Sequence, residues 1–110
     1  MTYPIMFHVT DQSNLPNIYK YGIKPSLNRD TKHGACETWL VANEEEAKRV
    51  LDLLRFNKDK RIEKPIVIKL DASKVRLYRF GNMKDYFTPD TIEPAKILGY
   101  RMIVSGLHWI

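Results

Sequence analysis

Tyr3-Pro4-Ile5-Met6-Phe7-His8-Val9-Thr10 opens the chain with β-branched and aromatic residues over a strand's length, and the rest of the fold is read outward from it. Pro4 carries no amide proton, which puts it at an edge or entry point of the strand. Strand alternation places His8 and Thr10 on one face. On a face that lines a cleft, an imidazole and a hydroxyl converge on one polar ligand. On a face that packs inward, His8 is a histidine hydrogen-bonded within the sheet. The stretch alone fits both.

Ser13 is placed to cap a helix through Tyr21 that has Pro16 in its first turn, Leu15, Ile18 and Tyr19 on one face, and Gly22 as a left-handed stop. Residues 28–35 read as a polar loop whose Arg29, Lys32 and His33 suit phosphate groups or plain solvation. Residues 37–42 read as a strand with Trp39, a ring that either stacks on a flat ligand or packs in the core. Asn43 and Glu46 form a capping-box pattern, and Ala47, Val50, Leu51 and Leu54 follow helical spacing. A charged turn is expected at 57–64, with strands at 65–70, 74–80, 86–88 and 97–105. Asp85 is expected in the loop before 86–88, as a ligand-facing carboxylate or a solvated turn residue, and 92–94 reads as a turn. Two helices near the N-terminus followed by most of the strands argue for an α+β domain with a mostly antiparallel sheet. With no repeat and no linker, residues 1–110 are read as one domain.

The chain has 18 Lys and Arg against 13 Asp and Glu, a net charge of +5, which favours nucleic acid, phosphates or acidic proteins as partners. Acids are interleaved with the bases over 58–64, which also fits a solvated mixed-charge surface. A single cysteine, Cys36, cannot form an internal disulfide, and the first ten residues are too short and polar for a signal peptide. Both point to the cytoplasm. No apolar run is long enough to span a bilayer, so no membrane partner is expected. His8, His33 and His108 are scattered, and no metal site is expected. Neither a P-loop nor a G-x-G-x-x-G or G-x-S-x-G motif occurs.

Three segments in order carry a family resemblance. Phe7-His8-Val9-Thr10 is followed by Asn14-Leu15-Pro16-Asn17-Ile18 and Tyr21-Gly22-Ile23-Lys24-Pro25; then come Glu37-Thr38-Trp39-Leu40-Val41-Ala42 with Glu46-Ala47, and Asp85-Tyr86-Phe87-Thr88-Pro89-Asp90 with Ile92-Glu93-Pro94 and Ile97. Together they resemble ADP-ribosyltransferase-fold proteins, most of all short bacterial and phage members related to DNA-modifying ADP-ribosyltransferase toxins and RNA 2′-phosphotransferases. The resemblance implies a split, mostly antiparallel sheet with two short N-terminal helices. It implies NAD as substrate, with His8 on a ribose hydroxyl, Thr10 at the nicotinamide end, Trp39 stacked on the nicotinamide and Asp85 as the catalytic acid, all converging in one cleft. His8 and Asp85 would be catalytic; His8, Thr10, Arg29, Lys32 and Trp39 would hold NAD.

The chain departs from the family pattern in four ways. Asp85 stands where Glu is common, Trp39 where Tyr is usual, and Val9 where the phosphotransferases tend to have Gly; their full set of phosphate-binding arginines is not found. The expected activity is NAD-dependent mono-ADP-ribosyl transfer to a nucleic acid or protein. The alternatives are a catalytically weak or inactive binding module, for example one that blocks a host factor, and an RNA 2′-phosphotransferase.

Overall fold

The computed structural model describes residues 4–27, 36–56, 63–79 and 85–102. In order these form β1 (Ile5–Asp11), α1 (Leu15–Tyr21), β2 (Ser26–Leu27), β3 (Cys36–Val41), α2 (Glu44–Phe56), β4 (Pro65–Asp71), β5 (Tyr78–Arg79), β6 (Asp85–Thr88) and β7 (Ile97–Met102). Six strands build one sheet in the order β5-β6-β3-β1-β4-β7, with β2 paired to the start of β3. Every pairing is antiparallel, so the α+β class and the antiparallel sheet expected from the sequence are both found. Among the described residues no helix is long and apolar enough to cross a membrane.

The sheet is not uniformly joined. β1 pairs with β4 along its whole length, from Ile5↔Asp71 to Asp11↔Pro65. Its pairing with β3 is confined to Phe7↔Val41. Two three-stranded halves, β5-β6-β3 and β1-β4-β7, therefore meet at one residue pair. Each face has its own core. Met6, Leu40, Ile66, Ile68, Leu70 and Tyr86 pack with Leu15 and Ile18 of α1. On the other face Phe7, Val41 and Val67 pack with Ala47, and Val50 lies against them. Burying one such aliphatic side chain stabilises by about 1.5–3 kcal/mol, so both helices are held mainly by these contacts.

The helix starts depend on side-chain oxygens. At α2 the Asn43 carboxamide oxygen accepts from the Glu46 amide at 2.9 Å, as the capping pattern requires. Ser13 does not cap α1: its N-cap is Asn14, which makes no side-chain cap bond, and Asp11 caps the turn that precedes it. Its Oδ2 accepts from the Ser13 amide at 3.0 Å and hydroxyl at 2.6 Å, which folds Gln12–Asn14 into a 3-10 turn before α1. Its Oδ1 accepts from the Glu63 and Lys64 amides at 2.9 and 2.8 Å. A carboxylate has enough acceptor sites to serve both sides, which a serine hydroxyl lacks.

Gly22 ends α1 at φ 84°, its amide donating to the Ile18 carbonyl at 2.8 Å. The chain then pairs Ile23 with Ile92 through two backbone bonds of 2.8 and 2.9 Å. A Cβ on Gly22 would run into the Ile92 carbonyl.

Three expectations need correction. Of the expected 74–80 strand, the described part, 74–79, is strand only at Tyr78–Arg79. Asp71 caps a turn through the Ser73 amide and hydroxyl, Val75 donates to the Ala72 carbonyl, and Arg76 makes a two-pronged ion pair with Asp90 at 2.7 and 2.8 Å. Those bonds replace a ladder. Asp85 lies inside β6 and not in a loop before it. α2 runs 13 residues in mid-chain and is not short. The expected loop at 28–35, residues 57–62 of the expected charged turn, Phe80 and residues 103–105 of the last expected strand lie outside the described residues.

Two stability changes follow from these contacts. Gly22→Ala should destabilise by about 2 kcal/mol or more, because it combines backbone strain with a clash, and a lowered urea midpoint would show it. Asp11→Ala should cost about 1 kcal/mol, the usual value of a helix cap. Hydrogen bonds from Ser13, Lys64 and Glu63 lower the Asp11 carboxyl from 3.8 to about 2. The wild type should hold this contribution fully above the unfolded value and lose it as pH falls towards 2. Melting curves of both proteins should converge at the acid end.

Candidate functional site

His8 lies on β1 opposite Ile68 of β4. On its other side β3 has left the ladder, and His8 Nδ1 lies 2.8 Å from the Trp39 carbonyl oxygen. A carbonyl can only accept, so Nδ1 carries a proton; in the neutral ring Nε2 then holds the lone pair. The imidazole does here what a neighbouring strand's amide does elsewhere in the sheet. It bridges the two half-sheets one residue beyond Phe7↔Val41.

Thr10 is next along the same face. Its Oγ1 accepts from the Asn14 carboxamide at 2.9 Å, which links β1 to the residue that precedes α1. Across the opening, Thr38 and Thr88 pair between β3 and β6 and are buried. Thr88 Oγ1 accepts from the Asp90 amide at 3.2 Å. Thr38 Oγ1 has no hydrogen-bond partner among the described residues. A buried hydroxyl left so costs about 1–3 kcal/mol. Sequence reasoning gave Asn14 and Thr38 no role; Asn14 was visible only as part of a motif, and Thr38 only as the neighbour of Trp39.

Trp39 and Asp85 belong to the other face. Trp39 pairs with Phe87 and Val41 with Asp85, and Val41 packs beneath α2. The Trp39 and Phe87 rings are 5.3 Å apart. The Asp85 carboxylate receives Arg49 Nη2 at 2.5 Å, while Arg49 Nε donates to Glu46 at 2.6 Å. The bond to Glu46 first, and that to Asp85 after it, raise the Arg49 pKa further. Asp85 thus sits against a fixed positive charge supplied by α2.

The register brings His8 to the backbone of Trp39 and Thr10 to Asn14, and it sets Trp39 beside the strand that carries Asp85. The four side chains do not line one sheet face; the two halves communicate through the His8–Trp39 bond. Arg29 and Lys32 lie outside the described residues. Among the described residues no group of three His, Cys, Asp or Glu could hold a metal. Chemically the site offers an imidazole of set tautomer, a hydroxyl and a carboxamide, all suited to the hydroxyls of a sugar.

No family model matches the chain, and no curated protein matches its sequence.

His8→Ala should destabilise by about 1–3 kcal/mol by leaving the Trp39 carbonyl without its donor. His8→Asn, whose amide nitrogen sits close to the position of Nδ1, should recover most of that loss. Urea denaturation of the three proteins would measure both effects.

Proposed function

We propose that the chain is an ADP-ribosyltransferase-like domain that takes NAD where β1 and β3 separate and transfers ADP-ribose to a macromolecule. The observation that carries this reading is the His8 Nδ1 bond to the Trp39 carbonyl, made at a junction of only one residue pair. A sheet divided into two halves is the construction the resemblance implies. The protonated Nδ1 leaves Nε2 as the ring's acceptor, which suits a ribose hydroxyl.

In this reading His8 accepts from the ribose, and Thr10 with Asn14 positions the nicotinamide end. Trp39 supplies a stacking ring, and Arg29 and Lys32 meet the pyrophosphate. The bond between the ribose anomeric carbon and the nicotinamide nitrogen breaks, and nicotinamide leaves with the electron pair. A nucleophile on the acceptor then forms a bond to that carbon and gives up its proton. The sugar passes through an oxocarbenium-like state that a nearby carboxylate stabilises. Asp85 is the carboxylate assigned to that role, and it must exchange Arg49 for the sugar to fill it.

One observation favours a second reading. Asp85 is engaged by Arg49 and lies on the opposite face from His8, an arrangement that suits an NAD-binding module without transfer, such as one that blocks a host factor.

NAD binding by ligand-observed NMR, together with incubation of labelled NAD with DNA, RNA and lysate, separates the two readings. Transfer predicts labelled product that Asp85→Ala lowers by about 100-fold or more, the scale of a lost electrostatic stabiliser, with NAD binding kept. Binding alone predicts an NAD signal lost in His8→Ala and no labelled product. No NAD signal in the wild type would overturn both.

A further inference from the structure

The outer side of α1 carries a band of side chains that the core does not use. Leu15 and Ile18 are the residues this helix buries. Successive helical residues point about 100° apart, so Tyr19, Lys20 and Tyr21 in the last turn wrap the side turned away from the sheet. Tyr19 is 46% exposed and Tyr21 50%. Tyr19 meets the half-buried Tyr100 of β7 edge to face at 6.2 Å. Lys20 Nζ and Lys24 Nζ each lie 5.2 Å from the centre of the Tyr21 ring, so one exposed ring gathers two ammonium groups. Among the described residues neither lysine makes an ion pair; those pairs involve Arg49, Arg76 and Arg101. No Asp or Glu occurs from Leu15 to Pro25. Glu93 runs beside Gly22 and pairs with neither lysine.

We infer that the outer face of α1 binds an acidic segment of another protein. The Tyr19 and Tyr21 rings take its apolar side chains, and Lys20 and Lys24 take its carboxylates. Tyrosine is enriched where proteins meet, because a rigid ring supplies contact area and its hydroxyl stays wet. Charge selects the occupant. A second copy of the chain brings the same sign, +5, to a face that is already cationic. A nucleic-acid strand repeats its charge about every 3.4 Å and needs a track of cations, whereas two lysines gathered on one ring make a single point. A compact ammonium charge on a flexible stem suits a lone carboxylate. The opening between β1 and β3 lies at the other end of α1, where Asn14 bonds Thr10. Docking therefore needs neither NAD nor transfer.

Fluorescence anisotropy without NAD tests it with three labelled probes: a short peptide of alternating Glu and Leu, the same peptide with Gln in place of Glu, and an oligo-dT of equal charge. The acidic peptide should bind more tightly than the other two, and less tightly as salt rises. Lys20→Gln and Lys24→Gln should each weaken it by about threefold and the double variant by about tenfold, as additive exposed ion pairs do. Tyr21→Ala should cost about as much as one lysine, and Tyr21→Phe should keep wild-type binding, since the ring face holds the ammonium groups. Lys48→Gln removes the same charge from an exposed position on α2, which covers the other face of the sheet, and should leave binding unchanged. An equal loss in Lys48→Gln would overturn the site, because attraction would then follow net charge alone. Tighter binding of oligo-dT, or no binding of the acidic peptide, would overturn the partner class. A dimer in sedimentation that Tyr21→Ala dissociates would assign the face to a second copy and overturn it as well.

Discussion

The pair Phe7↔Val41 is the joint on which the sheet depends. Every other central pairing is extended, yet the two half-sheets share only this one. Where the ladder stops at one pair, backbone groups beyond it need other partners. The fold closes the joint from both faces. Beneath α2, Phe7, Val41 and Ala47 bury the joint in apolar contact. One residue further on, His8 reaches across and bonds the Trp39 carbonyl. The opening is thus a built feature, stabilised by packing on one side and by a side-chain donor on the other.

That construction accounts for what was legible in the sequence and what was not. The long elements were readable because their signals are local. Residues 65–68 run apolar without interruption, and Asn43, Glu46, Ala47, Val50 and Leu51 mark a capped amphipathic helix. Asp11 was missed because half of its bonding is to Glu63 and Lys64, more than fifty residues away. The 74–80 strand was over-read because alternation alone does not reveal that Arg76 is held by Asp90. The candidate site was legible in its parts only. His8 and Thr10 share a face as alternation requires. The division between their face and that of Trp39 and Asp85 depends on the register of β3 against β1 and β6, which no local pattern encodes.

Electrostatics then distinguish the two sides of the molecule. Near His8 the groups are an imidazole, the Thr10 hydroxyl and the Asn14 carboxamide, polar donors and acceptors without a carboxylate. Near Asp85 the groups are charged, with Glu46 and Asp85 sharing one guanidinium. Beyond them lies an open row of aromatic rings in a chain of net positive charge. The two faces of the sheet are thus chemically distinct, one offering neutral polar side chains at the opening and the other a charged cluster beside aromatic rings. The Arg49–Asp85 pair stands between binding and chemistry, since a carboxylate held by a guanidinium is less able to stabilise a second cation.

The central claim is that His8 is fixed by Trp39 as a ligand-binding residue and is not an ordinary sheet histidine. Long-range proton–nitrogen NMR of the histidine rings, recorded during titration with NAD, tests it most directly. The neutral His8 ring should carry its proton on Nδ1, and NAD should shift the Nε2 resonance while Nδ1 holds its place. A ring protonated on Nε2, or an Nε2 resonance that NAD does not move, would contradict it.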